Sequence, residues 1–222
     1  MKEVGQHKRV NDILLGPLER PALHWLASHM PAWVTPDLCT VIGIGGAFLT
    51  LVGYVLSNSR PGFLWLASLG FLVNWFGDSL DGTLARHRHI ERPMYGYFID
   101  HATDALTQLM IFFGLGFSPY VSFNIASLAL IGYLVMCIIT YLRMYVAAEF
   151  KISYGRLGPT ESRVVAVFLT AAMYFFGIRN ISLGGMTFSA YDIPVLIIAL
   201  VLFSFFINTA WQETRRLAAL GE

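Results

Sequence analysis

The sequence predicts an all-α polytopic integral membrane protein of six transmembrane helices preceded by an N-terminal amphipathic interfacial helix, and three observations carry that prediction. Of its 222 residues, 56% are hydrophobic and only 13% charged, whereas a soluble domain carries about a quarter charged residues. Apolar stretches long enough to cross a bilayer, about 20 residues each, recur six times. The basic residues are distributed unequally about those stretches. This balance excludes most soluble enzymes and any disordered chain. A net charge of +1 gives no basic field for nucleic acid. Cys39 and Cys137 both sit in apolar runs and imply neither a disulfide framework nor a cysteine metal site.

The chain divides into an N-terminal cytoplasmic interfacial segment (1–34), a transmembrane domain (35–212) and a short cytoplasmic tail (213–222). Residues 11–30 mix Leu14, Leu18, Leu23, Trp25 and Leu26 with Asp12, Glu19, Arg20 and His24. Pro17 and Pro21 break any long straight helix there, so the pattern predicts a broken amphipathic helix in the membrane interface, anchored by Trp25 and Trp33. Thr35 as N-cap and Pro36 in the first turn start the first span. The spans are predicted at 37–56, 62–86, 95–117, 123–147, 161–178 and 193–210. With the N-terminus inside, only Arg60 and Arg179 among the 15 basic residues, and only Asp192 among the 14 acidic ones, fall on the outer side. That asymmetry places both termini and the chemistry on the cytoplasmic face.

The ends of the second and third spans carry residues that an apolar helix should not. Residues 74–104 read NWFGDSLDGTLARHRHIERPMYGYFIDHATD, with Asp78, Asp81, Asp100 and Asp104 at the inner ends of these two helices. Each carboxylate at membrane depth costs on the order of 2.5 kcal/mol or more unless something pairs with it. At about 100° per residue, Asp78, Asp81, Gly82 and Ala85 share one face of the second span, and Gly96, Asp100 and Asp104 form one stripe on the third. A short loop forces the two helices to run antiparallel, so the stripes can face one another. Oxygen-only ligation suits Mg²⁺, Mn²⁺ or Ca²⁺ rather than zinc, and Mg²⁺ commonly binds through a few carboxylates plus substrate phosphates. Gly82, Ala85 and Gly96 leave room for a ligand, and Arg86 offers a bidentate donor to a phosphate. The competing reading, interfacial charges paired with Arg86, Arg88 and Arg92, accounts for one such Asp more readily than for four.

This run resembles the signature of the CDP-alcohol phosphotransferase family: Asp, two residues, Asp-Gly, two residues, Ala-Arg, a loop, Gly, three residues, Asp, three residues, Asp. Asp78, Asp81, Gly82, Ala85, Arg86, Gly96, Asp100 and Asp104 fill every fixed position. Nine residues, 87–95, separate Arg86 from Gly96 where eight are expected, an insertion confined to the loop. Thr35, Pro36 and Thr40 resemble the family's Pro-Asn-x-x-Thr helix start, with Asp37 in place of Asn. The resemblance implies transfer of a substituted phosphate from a CDP-alcohol lipid donor to a small alcohol acceptor, with release of CMP. It implies Mg²⁺ or Mn²⁺, two ions, held by Asp78, Asp81, Asp100 and Asp104, with Asp104 also the general base. Gly82, Ala85, Arg86 and Gly96 would cradle the cytidine diphosphate, and the protein would be a homodimer among membrane lipids. CDP-diacylglycerol is the favoured donor. The Asp100-His101 pair resembles the aminoalcohol branch, which uses CDP-choline or CDP-ethanolamine with a lipid alcohol and makes His101 the alternative base. His101 points 100° off the stripe, which favours a packing role.

A second candidate site is the segment 151–163. Arg156 and Arg163 are suited to an acceptor's phosphate or head group and Glu161 to an amine, while ordinary helix-start chemistry at Pro159 and Thr160 explains the same residues. His87, Arg88, His89 and Arg92 form a basic loop suited to anionic lipid. A reading from a different class is a small cation carrier or channel with an acidic ion path. It predicts carboxylates near mid-membrane on several helices, whereas here they gather at one end.

Overall fold

The computed structural model describes residues 14–147, 158–183 and 186–220. Seven α-helices occur among them: α1 Gly16–His29, α2 Pro36–Leu56, α3 Leu64–His87, α4 Pro93–Phe117, α5 Phe123–Ala147, α6 Pro159–Phe176 and α7 Asp192–Ala219. Among the described residues, four helical stretches are long and apolar enough to cross a membrane: Pro36–Leu56, Pro61–His87, Phe123–Met144 and Asp192–Ala219. Helices also stand at the other two predicted spans, α4 and α6, whose apolar runs are interrupted by the charges of the site. Large side chains on the outer faces of α5 to α7, among them Ile138, Phe168, Phe175, Ile197 and Leu200, are exposed, as a lipid-facing wall requires.

Three features differ from the sequence expectation. Pro21 does not break α1, which runs through it as one helix; only one intrahelical bond is lost there. α7 continues to Ala219, past the predicted end of the sixth span at 210, and in this extension Glu213 pairs with Arg143 of α5 at 2.7 Å and with Arg216 one turn on at 3.7 Å. Between α6 and α7 lies an antiparallel hairpin, β1 (Asn180–Leu183) with β2 (Met186–Ser189), in register Asn180 with Ser189 and Leu183 with Met186. Gly184 and Gly185 between two short β-prone segments are the sequence signal for it.

Packed neighbours run in the order α6, α3, α2, α4, α5, α7, with α1 laid on α3. The closest of these contacts is α2 against α3, and small residues make it possible. A Cβ on Gly46 would stand 2.3 Å from the Asn74 backbone nitrogen, one on Gly53 2.4 Å from that of Ala67, and one on Gly77 2.3 Å from that of Gly43. Gly43 and Gly46 of the GIGG run therefore pack on α3 within the chain, backbone on backbone. The main core lies toward the end away from the aspartates, around Tyr54, Phe71, Leu115, Tyr120, Met173 and Val195. A second cluster, Leu23, Ala27, Val34, Cys39, Leu80 and Leu84, seats α1 and the start of α2 on the last turns of α3. Thr35 caps α2 as expected, its Oγ1 accepting from the Leu38 N–H at 3.2 Å.

At the far end, Asp192 is 1% exposed. Its carboxylate accepts from the Ser122 N–H and hydroxyl, both at 2.7 Å, and from the Ser189 N–H at 2.9 Å. This one side chain ties the α4–α5 turn, the hairpin and the start of α7 together.

Candidate active site

The site is assembled from the start of α2, the last turns of α3, the first turns of α4 and the start of α6. Asp78 and Asp81 on α3 and Asp100 and Asp104 on α4 lie within electrostatic reach of one another. The two stripes expected from helix periodicity therefore stand at the same end of the bundle, on helices that both pack against α2. Each carboxylate is half-buried rather than sealed.

Two α3 aspartates are already engaged. Thr40 of α2 donates from Oγ1 to Asp81 Oδ2 at 2.7 Å, and the Gly82 N–H donates to Asp81 Oδ1 at 2.5 Å. Asp78 Oδ2 takes Nη2 of Arg163 at 2.5 Å. Arg163 comes from α6 and is 9% exposed. Its Nε donates to Asn74 Oδ1 at 2.9 Å, and Asn74, 2% exposed, donates through Nδ2 to the Gly43 carbonyl at 2.9 Å. Asn74 thus joins α2, α3 and α6 in one polar chain under the aspartates. A small cleft opens beside it, lined by Thr40, Gly43, Ile44, Asn74, Asp78, Thr103 and Thr107. Arg163 Nη1 is buried without a hydrogen-bond partner among the described residues, so one charged donor at the cleft is still to be satisfied.

The rim is made of the small residues of the signature. Nothing stands within 4 Å of a Cβ built on Gly96, and on Gly82 it would meet only the guanidinium of Arg86 at 3.2 Å. Arg86 is exposed and donates to Thr83 Oγ1 at 3.3 Å; Ala85 is half-buried beside it. His101 leaves the stripe, as its 100° offset predicts. Its Nδ1 lies 2.8 Å from the Tyr97 carbonyl, its ring packs on Tyr97 at 4.1 Å and faces Tyr141 of α5 at 5.3 Å, and Asp100 Oδ2 is 3.8 Å away.

The second candidate segment separates into parts. Arg163 joins the aspartates. Glu161 is 5% exposed, and its oxygens accept from the backbone N–H groups of Leu15 at 2.7 Å and Gly158 at 2.9 Å, which caps α6 and anchors the entry to α1. In this arrangement Glu161 serves backbone amides rather than a ligand amine. Arg156 lies outside the described residues. In the basic loop, Arg88 donates to the carbonyls of Met30, Pro31, Ala32 and Val34, and Arg92 pairs with Asp37 at 2.5 Å. Arg88 is thus committed to the connection between α1 and α2, and Arg92 to the first turn of α2. His89, in the left-handed region at φ 55°, turns the chain out of α3 where the additional loop residue lies.

The donor set fits a hard divalent cation: carboxylate oxygens, with the Thr40 hydroxyl beside them and no thiolate or imidazole on the two stripes. Among the described residues no three Asp, Glu, His or Cys side chains already converge into a ligand shell. Asp78, Asp81, Asp100 and Asp104 remain the groups able to supply one.

A family profile described as CDP-alcohol phosphatidyltransferase matches residues 33–205. The chain is 26% identical over 210 residues to cholinephosphotransferase 1 of Mus musculus, covering 89% of this chain and 49% of that protein. It is 26% identical over 185 residues to archaetidylinositol phosphate synthase of Pyrococcus horikoshii, covering 83% and 86%. The chain therefore spans about half the length of the mouse relative. Its fold is similar to that of phosphatidylinositol phosphate synthase from Mycobacterium tuberculosis, solved with CDP-DAG bound, with a TM-score of 0.61 at 17% identity over 86% of this chain and 92% of that one.

Proposed function

We propose that this chain, which belongs to the CDP-alcohol phosphatidyltransferase family, is a membrane enzyme of phospholipid synthesis that transfers a substituted phosphate from a CDP-alcohol to an acceptor hydroxyl and releases CMP. The observation that carries the reading is the complete signature, every fixed residue in place, within the segment that the family profile matches. CDP-diacylglycerol is the first-choice donor and a small polar alcohol the acceptor. In the reaction the acceptor oxygen bonds to the phosphorus that carries the diacylglycerol, the bond from that phosphorus to the CMP oxygen breaks, and the acceptor proton is taken up by a carboxylate.

In this reading Asp78, Asp81, Asp100 and Asp104 hold Mg²⁺ or Mn²⁺, as two ions. The bound metal supplies charge neutralisation on the pyrophosphate as CMP leaves. Thr40 and the Gly82 N–H each hold one oxygen of Asp81, fixing the orientation of that carboxylate. Asp104 is the general base, with His101 the alternative. Gly82 and Gly96 admit the cytidine diphosphate at the rim, flanked by Ala85 and Arg86. Arg163, with one donor unsatisfied, and Arg156 bind the acceptor's anionic group, while Glu161 contributes by fixing the start of α6. All six spans cross the membrane, α1 lies in the interface, both termini and the site face the cytoplasm, and the enzyme works as a homodimer among membrane lipids.

The second reading, CDP-choline or CDP-ethanolamine with a lipid alcohol, is supported by the Asp100-His101 pair and by the likeness to the mouse cholinephosphotransferase. The experiment is CMP release by purified full-length protein from a panel of CDP-diacylglycerol, CDP-choline and CDP-ethanolamine, each with several acceptors, with and without EDTA. EDTA-sensitive release with one donor supports the reading and chooses between the two branches. Absence of release with every donor refutes it and returns the acidic cluster to the carrier alternative.

A further inference from the structure

Helix α1 lies ahead of the segment that the family profile matches, yet it is fastened to the candidate site by half-buried polar contacts. Glu19 Oε1 accepts three hydrogen bonds at once, from Trp75 Nε1 at 2.8 Å, Ser79 Oγ at 3.0 Å and Thr160 Oγ1 at 2.8 Å. Two of these donors belong to α3 and one to α6. The α3 donors directly follow the residues that face Arg163: Trp75 follows Asn74, and Ser79 follows Asp78. The α6 donor lies three residues before Arg163. One step along a helix is about 100° of rotation, so α3 is gripped on two adjacent faces, by Arg163 on one and by Glu19 on the other. The Leu15 N–H bond to Glu161, also at the start of α6, holds the same end of α1 from a second point. A carboxylate that accepts several donors makes charge-assisted bonds, stronger than those of a neutral acceptor.

We propose that Glu19 is a positioning residue: through Trp75, Ser79 and Thr160 it sets the spacing of α3 and α6, and so the approach of Arg163 to Asp78 and Asn74. The activity arm of its test rests on the transferase reading above; a distance arm stands apart from it. Glu19→Ala removes all three bonds while touching none of the aspartates. Glu19→Gln keeps an acceptor oxygen in the same place. Because a misplacement of about 1 Å can cost on the order of a hundredfold in rate, Glu19→Ala lowers kcat for CMP release at least about tenfold with donor KM little changed, and Glu19→Gln retains most of the rate.

The distance arm uses spin labels at Leu72 of α3 and Val165 of α6, exposed by 58% and 50%, in a Cys137→Ala background, Cys39 being fully buried. The label-to-label distribution lengthens or broadens in Glu19→Ala and not in Glu19→Gln. If the unsubstituted protein releases CMP and Glu19→Ala retains its kcat, the positioning role is overturned while the transferase reading stands. If the unsubstituted protein releases CMP with no donor, the transferase reading fails, and the label distances still decide: an unchanged distribution in Glu19→Ala overturns the positioning role, and a lengthened one upholds it. Equal loss in the Ala and Gln variants, in proportion to folded protein, also overturns it. Should Glu19→Ala not fold, Thr160→Val removes one donor from the same oxygen and gives a smaller effect in the same direction, or overturns the proposal by giving none.

Discussion

Replacing Asn74 with alanine tests the polar chain under the aspartates at its centre. Asn74 is 2% exposed and makes two hydrogen bonds, one from the Arg163 guanidinium and one to the Gly43 carbonyl, both at 2.9 Å. A hydrogen bond to a charged group is worth about 1.5–3 kcal/mol and a neutral one about 0.5–1.5 kcal/mol. The substitution leaves the Arg163 Nε and the Gly43 carbonyl buried with their partner gone. The expected loss is therefore about 2–4 kcal/mol, equivalent to roughly 5–15 °C in Tm for a chain of this size. Loss of activity exceeds what the folded fraction explains, since Arg163 keeps only Asp78 to hold it. The assay pairs thermal melting in detergent with CMP release at a temperature where the variant is fully folded. A variant that melts within about 2 °C of the parent and turns over within about threefold of it refutes the keystone role.

Two further substitutions probe packing and chemistry. Gly46→Ala places a Cβ 2.3 Å from the Asn74 backbone nitrogen, against an ordinary contact of about 3.5–4 Å, so α2 and α3 part and stability falls by about 1–3 kcal/mol. Gly45→Ala, with nothing within 4 Å of its Cβ, is the matched control and melts like the parent. Asp104→Asn abolishes turnover by about a hundredfold or more if Asp104 takes the proton, whereas His101→Ala, losing ring packing on Tyr97 and Tyr141, changes turnover by much less; the reverse order of effects would transfer the base to His101.

Periodicity and spacing revealed the residues that lie close in sequence. The helices stand where apolar runs predict them, Thr35 caps α2, and Asp78, Asp81, Asp100 and Asp104 lie at one end of the bundle because they form two stripes on consecutive helices joined by a short loop. The residues that hold the stripes in place had no such local signature. Arg163 reaches Asp78 across 85 positions of sequence, Glu19 reaches Thr160 across 141, and Glu161 reaches Leu15 across 146. Asn74, a lone amide in an apolar run, marked the start of the acidic segment without any hint of its partners. The glycines of α2 signalled close approach but not to what. The basic loop likewise gave no sign that Arg88 would donate to backbone carbonyls between α1 and α2, or that Arg92 would pair with Asp37.

The glycine contact between α2 and α3 bears on the order in which the molecule forms. These helices follow one another through a short turn, and the backbone surfaces that meet, such as Gly43 with Gly77 and Gly53 with Ala67, are at most a few tens of residues apart. Contacts of such short range close quickly and at small entropic cost. α5 with α7 and α3 with α6 are partnerships across a much longer interval. A hairpin of α2 and α3, carrying Thr40 and two of the four aspartates, can therefore assemble during insertion while the rest of the chain is still being made, and the later helices dock onto a half-site that is already set.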